Sequence, residues 1–177
     1  GRNAERLQEV AAACQAQGAK VVTTRLDVRD FTALRVWLEE LEPLDLVIIN
    51  AGMNTHIGPN GKPEPWDEVE ALLDVNLKAA MVIAHAVLPA MRDRGGCVLW
   101  TGGGTALRPQ NSRASPALAA GKSAMRGLAL ASAAAFHDLG IHFATITVNG
   151  AIKSGTPYAP EAIAERFWQA HLAPRPD

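Results

Sequence analysis

Lys122 is the one charge in the stretch SPALAAGKSAM, residues 115–125. A lysine among alanine and glycine on a helix either lays its stem along apolar surface with the ammonium in water, or is held there to touch a ligand. Asn76, in LLDVNLKAA, raises the same question. It is a poor helix former and needs a partner, which a core hydrogen bond or a ligand-bound water supplies. The other polar and small residues of interest stand where apolar runs end. They are Asp27-Val28, Asn50-Ala51-Gly52, Gly102 to Thr105, and Asn149-Gly150. The three consecutive glycines permit close backbone approach to a ligand, or simply a flexible turn. Asp27 contacts a ligand or caps the loop before Asp30. His56, His85 and His137 lack metal-ligand spacing, so no metal site is expected. Cys14 and Cys97 make neither a disulfide framework nor a ligand cluster.

These residues must be positioned by the elements around them. Residues 3–17 read as a helix with Leu7, Val10, Ala11 and Cys14 on one face, and AKVVTTRLDV follows as a strand. Asp30 caps a second helix carrying the stripe Phe31, Leu34, Leu38 and Leu41. LDLVIIN reads as a strand covered on both faces. A loop from Ala51 to Pro65 leads into a long helix from about Asp67 to Arg92. CVLW is a strand, TGGGTALRPQNSRA a loop, and Ser115 and Pro116 are N-cap and N1 of a helix that Gly140 ends. IHFATITV is the fourth strand. A helix from about Glu161 to Ala170 and a Pro-containing tail close the chain. Strand and helix alternate without repeat or linker across all 177 residues. That pattern gives one α/β domain, residues 1–177, built on a parallel sheet with helices on both faces. Ligands of such sheets bind beyond the carboxyl ends of the strands, where the residues above collect.

Composition narrows the partners. Lys and Arg total 17 and Asp and Glu total 18, with no basic block, so neither nucleic acid nor an anionic membrane is expected. The apolar run AAMVIAHAVLPAM falls short of the ~20 residues that span a bilayer. A reducing, cytoplasmic setting is the default.

Taken in order, LDV, NAG, VN in the next helix, and a lysine on the following long helix resemble the short-chain dehydrogenase/reductase family. The resemblance runs from the first residue to about Thr156. It implies a Rossmann-type doubly wound sheet, with the first two strands and the last strand of the family not in this chain. Upstream coding sequence is then expected to supply a strand and a glycine-rich turn. The resemblance implies that Arg2, Asp27, Val28, Asn50, Ala51, Gly52, Lys122, Asn149, Gly150 and Ile152 bind the cofactor, with Asn149 where the family has proline. Arg2 stands where members preferring NAD carry an acid, which implies NADP, with NAD as the alternative. Asn76 and Lys122 match catalytic positions.

Two matches fail. The family tyrosine one turn before the lysine is Leu118, and the family serine falls on Gly103 when aligned from the strand end, or on Thr105 when counted back from the helix. Tyr158, the only tyrosine, either packs on the core or serves as a substitute acid. The tail PEAIAERFWQAHLAP together with TGGGTAL resembles a divergent bacterial branch lacking that tyrosine. The expected function is hydride transfer between a nicotinamide and a carbonyl or alcohol substrate of unknown identity. The alternatives are a catalytically silent binding or regulatory homologue and a structural subunit. Family members pair through the two long helices, so a homodimer or homotetramer is expected, with Ala79, Ala80, Ala84, Ala131, Ala134 and Ala135 at the contact.

Overall fold

The computed structural model describes residues 1–41, 43–58 and 61–173. Six α-helices are present among them: α1 Ala4–Gln15, α2 Phe31–Glu39, α3 Trp66–Leu73, α4 Ala79–Met91, α5 Pro116–Ala135 and α6 Pro160–Leu172. Three parallel strands, β1 Leu46–Ile49, β2 Gly96–Gly103 and β3 Ile141–Val148, form a sheet in the order β1-β2-β3. Leu46 pairs with Cys97, and Gly96 with Ile141.

Local signals set the helix starts. The Asp30 side chain accepts from the Ala33 N–H at 3.0 Å, and Ser115 Oγ from the Leu118 N–H at 3.3 Å, as N-caps do. α5 stops at Ala135, earlier than Gly140. A 3₁₀ turn over His137–Leu139 follows, and Gly140 at φ 64° then turns the chain into β3. The Pro-containing tail from residue 174 lies outside the described residues.

The sheet is covered on both faces. Leu34 and Leu38 of α2, Ile83 and Val87 of α4, and Met125 and Ala129 of α5 pack on Val98, Trp100 and Phe143. Phe167 and Ile163 of α6 pack on Cys97 and Leu99 from the other side. The run from Trp66 to Met91 is 26 residues long and apolar enough for a bilayer by length and composition, which differs from the shorter span read from the sequence. Its inward stripe, Leu72, Asn76, Ala80, Ile83, Val87 and Met91, is buried against the domain's own core.

Two expectations are corrected. AKVVTTRLDV forms no strand. A strand is defined by its ladder, and this segment's backbone bonds to another part of the chain run to Gly1, which donates to Thr24 O at 3.3 Å and accepts from the Leu26 N–H at 2.8 Å. Likewise, Ala79, Ala80 and Ala84 are no free surface, being 1%, 1% and 7% exposed inside the core. Among the residues that α4 and α5 present outward are Met81, His85, Leu130, Ala131, Ala134 and Ala135.

Candidate cofactor and active site

Lys122 projects from α5 toward the carboxyl end of β2, where its Nζ donates to Thr101 O at 3.0 Å. Thr101 Oγ1 in turn donates to Asn50 Oδ1 at 2.7 Å, tying the ends of β1 and β2 together. Burial pushes the Lys122 ammonium below the usual lysine range. A side chain on Gly52 would come within 4.0 Å of Nζ. The ammonium therefore sits at the mouth formed by the loop after β1, the end of β2 and α5.

Asn76 stands at the centre of a π-helical turn, Asp74–Lys78, between α3 and α4. Such turns are rare and concentrate at functional sites. Its buried amide clamps the loop after β1. Nδ2 donates to Met53 O and Oδ1 accepts from the Met53 N–H, both at 2.8 Å. Asn76→Ala leaves both Met53 groups without their partner, a loss of roughly 1–3 kcal/mol. A urea midpoint lowered at unchanged m-value is the expected result; a midpoint equal to wild type would mean the clamp holds nothing.

A second tie joins the same loop region to α5, and no sequence signal announced it. Glu64 Oε1 accepts from Thr55 Oγ1 and from Ser115 Oγ, and Oε2 accepts from the Ala117 N–H at 3.1 Å. Burial raises the Glu64 carboxyl, but these three hydrogen bonds outweigh it and hold the group below the usual glutamate range. The carboxylate also meets the positive end of α5. Its partners lie 51 residues or more along the chain for Ser115 and Ala117, which is why only folding reveals the contact.

Around this centre the candidate residues divide among three cavities. Arg2, Asp27, Val28, Ala51 and Gly52 line one of about 240 Å³. Asn50 and Ile152 line a more apolar one of about 410 Å³ beside α6. Thr105, Asn149 and Gly150 line a third of about 350 Å³. In the first, Asp27 is not free. Arg29 grips it through Nε and Nη2, the latter at 2.7 Å, while Arg2 Nη1 lies 3.8 Å away. The hydrogen bonds from Arg29 hold the Asp27 carboxyl down at about 2. The cavity thus carries two guanidiniums against one carboxylate. Arg29 was not singled out from the sequence, although its position two residues after Asp27 was the available signal.

Leu118 is half-buried on the same helix, one turn before Lys122. A Cβ on Gly103 would lie 3.7 Å from Lys122 Cγ, so a residue at 103 faces the lysine stem. Thr105 sits farther on, in a 3₁₀ turn over Gly104–Ala106, its Oγ1 buried without a hydrogen-bond partner among the described residues. The Tyr158 ring rests on Gly150, where a Cβ would overlap it. Tyr158 therefore packs on the loop after β3.

Known proteins resemble this chain in sequence and in fold. A 3-dehydrosphinganine reductase of Arabidopsis thaliana is 36% identical over 96 residues, 54% of this chain and 28% of that protein. An NADP-dependent 3-hydroxy acid dehydrogenase of Salmonella typhimurium is 33% identical over 100 residues, 53% of this chain and 38% of that protein. The chain thus spans about a third of the length of these relatives. Among solved structures, a metagenomic short-chain oxidoreductase in complex with NADP superposes at a TM-score of 0.82 with 23% identity, covering 100% of this chain and 79% of that one. That likeness establishes the shared fold. The family described as short chain dehydrogenase matches residues 1–161, and on that match the chain belongs to the short-chain dehydrogenase family.

Proposed function

We propose that this chain binds NADP(H) across the carboxyl ends of β1, β2 and β3 and belongs to an oxidoreductase interconverting a carbonyl and an alcohol. The observation that carries the reading is Lys122: a desolvated ammonium fixed on Thr101 O beside Gly52 and the Asn76 clamp. When bound, the nicotinamide supplies or accepts the hydride. Lys122 holds the ribose hydroxyls, and Ala51 and Gly52 let the dinucleotide pass close to the backbone. Arg2 and Arg29 suit a 2′-phosphate, since together they outweigh Asp27 by one charge. The Arabidopsis and Salmonella relatives, a reductase and a dehydrogenase, support the reaction class.

A phenolic proton donor is not at its family position, because Leu118 stands there. That observation favours a second reading, a cofactor-binding homologue with slow or no turnover. Turnover of a ketone panel separates the two.

Cofactor choice has its own test. Fluorescence titration is expected to give NADPH roughly tenfold or more tighter binding than NADH, about one charge-assisted contact. Arg2→Gln with Arg29→Gln should erase the difference. Equal affinities in the unaltered chain would overturn the assignment to NADP.

Assembly through α4 and α5 belongs to the same proposal. Leu130 and Met81, 53% and 48% exposed, lie on the outward faces of these helices and suit a two-fold contact. Sedimentation at micromolar protein should show a dimer or tetramer; a purely monomeric profile would contradict it.

A further inference from the structure

The cavity of about 350 Å³ between the 104–111 turn and the end of β3 differs in character from the other two. Its polar lining is Thr105, Arg108, Asn111 and Asn149, with no carboxylate among the lining residues. Arg108 is exposed and makes no ion pair among the described residues. The sequence around it is segregated by charge. Residues 94 to 160 contain Arg94, Arg108, Arg113, Lys122, Arg126 and Lys153, and a single acid, Asp138. Asp138 precedes β3 and so lies at the opposite end of the sheet. Glu64, the acid that caps the start of α5, has both oxygens engaged by Thr55, Ser115 and the Ala117 amide. A lining that carries one guanidinium and two amide groups and no acid favours an anion.

The cavity also adjoins the reaction centre. Gly103, beside the Lys122 stem, leads directly into Gly104 and Thr105 on its wall. Gly104 has to lack a side chain here, since a Cβ would overlap Asn149 Oδ1. That close approach brings the turn after β2 against the end of β3 and leaves the space between them open toward Arg108.

We propose that this cavity receives the anionic end of the substrate, a carboxylate-bearing carbonyl compound or its alcohol, and that Arg108 determines specificity for it. The proposal rests on the reading above that the neighbouring mouth carries out carbonyl–alcohol chemistry. A guanidinium suits a carboxylate because its fork donates two parallel hydrogen bonds, which an ammonium cannot do. Asn111 and Asn149 orient the group, and the remaining carbon skeleton extends toward Lys122.

The test uses a matched pair of probes, acetoacetate and methyl acetoacetate, titrated by calorimetry into the 177-residue chain with and without NADPH. Acetoacetate is expected to bind at least tenfold tighter than the ester. Arg108→Gln should weaken acetoacetate about tenfold or more and leave the ester unchanged, while Arg108→Lys recovers part of the loss. Arg113→Gln, on the same acid-free stretch but outside the cavity, should change neither probe. Equal binding of the two probes, or equal losses in Arg108→Gln and Arg113→Gln, would overturn the proposal. So would a loss of NADPH affinity in Arg108→Gln, which would give that arginine to the cofactor. Failure of NADPH to bind a chain that also carries the upstream strand and glycine-rich turn would sink the oxidoreductase reading alone. The titrations without NADPH would still decide whether the cavity selects the carboxylate through Arg108.

Discussion

Leu118→Tyr raises NADPH-dependent ketone reduction by roughly 10²–10⁴-fold, the usual contribution of a positioned general acid. Positions 118 and 122 are one turn apart on α5, so a phenol at 118 shares the helix face of Lys122. Leu118 is half-buried rather than sealed in the core, which leaves a ring an outward path. The ammonium is already fixed by Thr101 O and partly desolvated, so its charge acts on a neighbouring phenol and stabilises the phenolate. Adding Gly103→Ser should raise the rate further. Gly103 has φ −131°, extended backbone that serine adopts freely, and a Cβ there meets Lys122 carbons no closer than 3.7 Å. Steady-state rates of the single and double variants on a ketone panel check this. No gain in either variant, with thermal stability and NADPH affinity intact, would show that more than the phenol is absent.

Lys122→Ala weakens NADPH binding about 10- to 150-fold, the loss of one charge-assisted hydrogen bond of roughly 1.5–3 kcal/mol. The lysine reaches the mouth from within α5, flanked by buried Gly121 and Met125, so its ammonium has no easy substitute. Lys122→Met keeps the stem and should lose the same affinity, which separates charge from packing. In the wild-type background neither change should move a pH–rate profile on the basic side, because position 118 holds no phenol for the ammonium to tune. In the Leu118→Tyr background, Lys122→Met should shift that limb to higher pH. Equilibrium titration by nicotinamide fluorescence reads the first effect. Unchanged affinity in both variants would make Lys122 a packing residue.

Features of this site that depend on short-range chemistry were legible in the sequence. Asp30 and Ser115 announced their helices because an N-cap bonds within three residues. Lys122 and Asn76 stood out because each breaks the apolar character of its helix, and both prove to have specific backbone partners. Failures came where an outcome depended on residues far along the chain. Residues 19–28 have strand composition, but a ladder needs a partner strand, and among the described residues Thr24 and Leu26 meet only the single residue Gly1. Glu64 looks like an ordinary loop acid until folding brings it to Ser115 and Ala117. The alanines of α4 suit a subunit contact by size, yet the same smallness lets Ala79, Ala80 and Ala84 pack into the domain's own core. Small residues fit both situations, and only the direction of the helix face decides. The π-turn had no compositional mark of its own; the asparagine at its centre was the visible clue.

The proposed nicotinamide-binding mouth is equipped with the lysine and lacks its phenol. The most direct measurement is the pH dependence of wild-type ketone reduction with NADPH, repeated with Tyr158→Phe. Slow turnover is predicted, with no basic limb that Tyr158→Phe removes, since the Tyr158 ring rests on Gly150 rather than beside Lys122. Fast wild-type turnover, abolished by Lys122→Ala and carrying a basic limb that disappears in Tyr158→Phe, would contradict the account and make Tyr158 the proton donor.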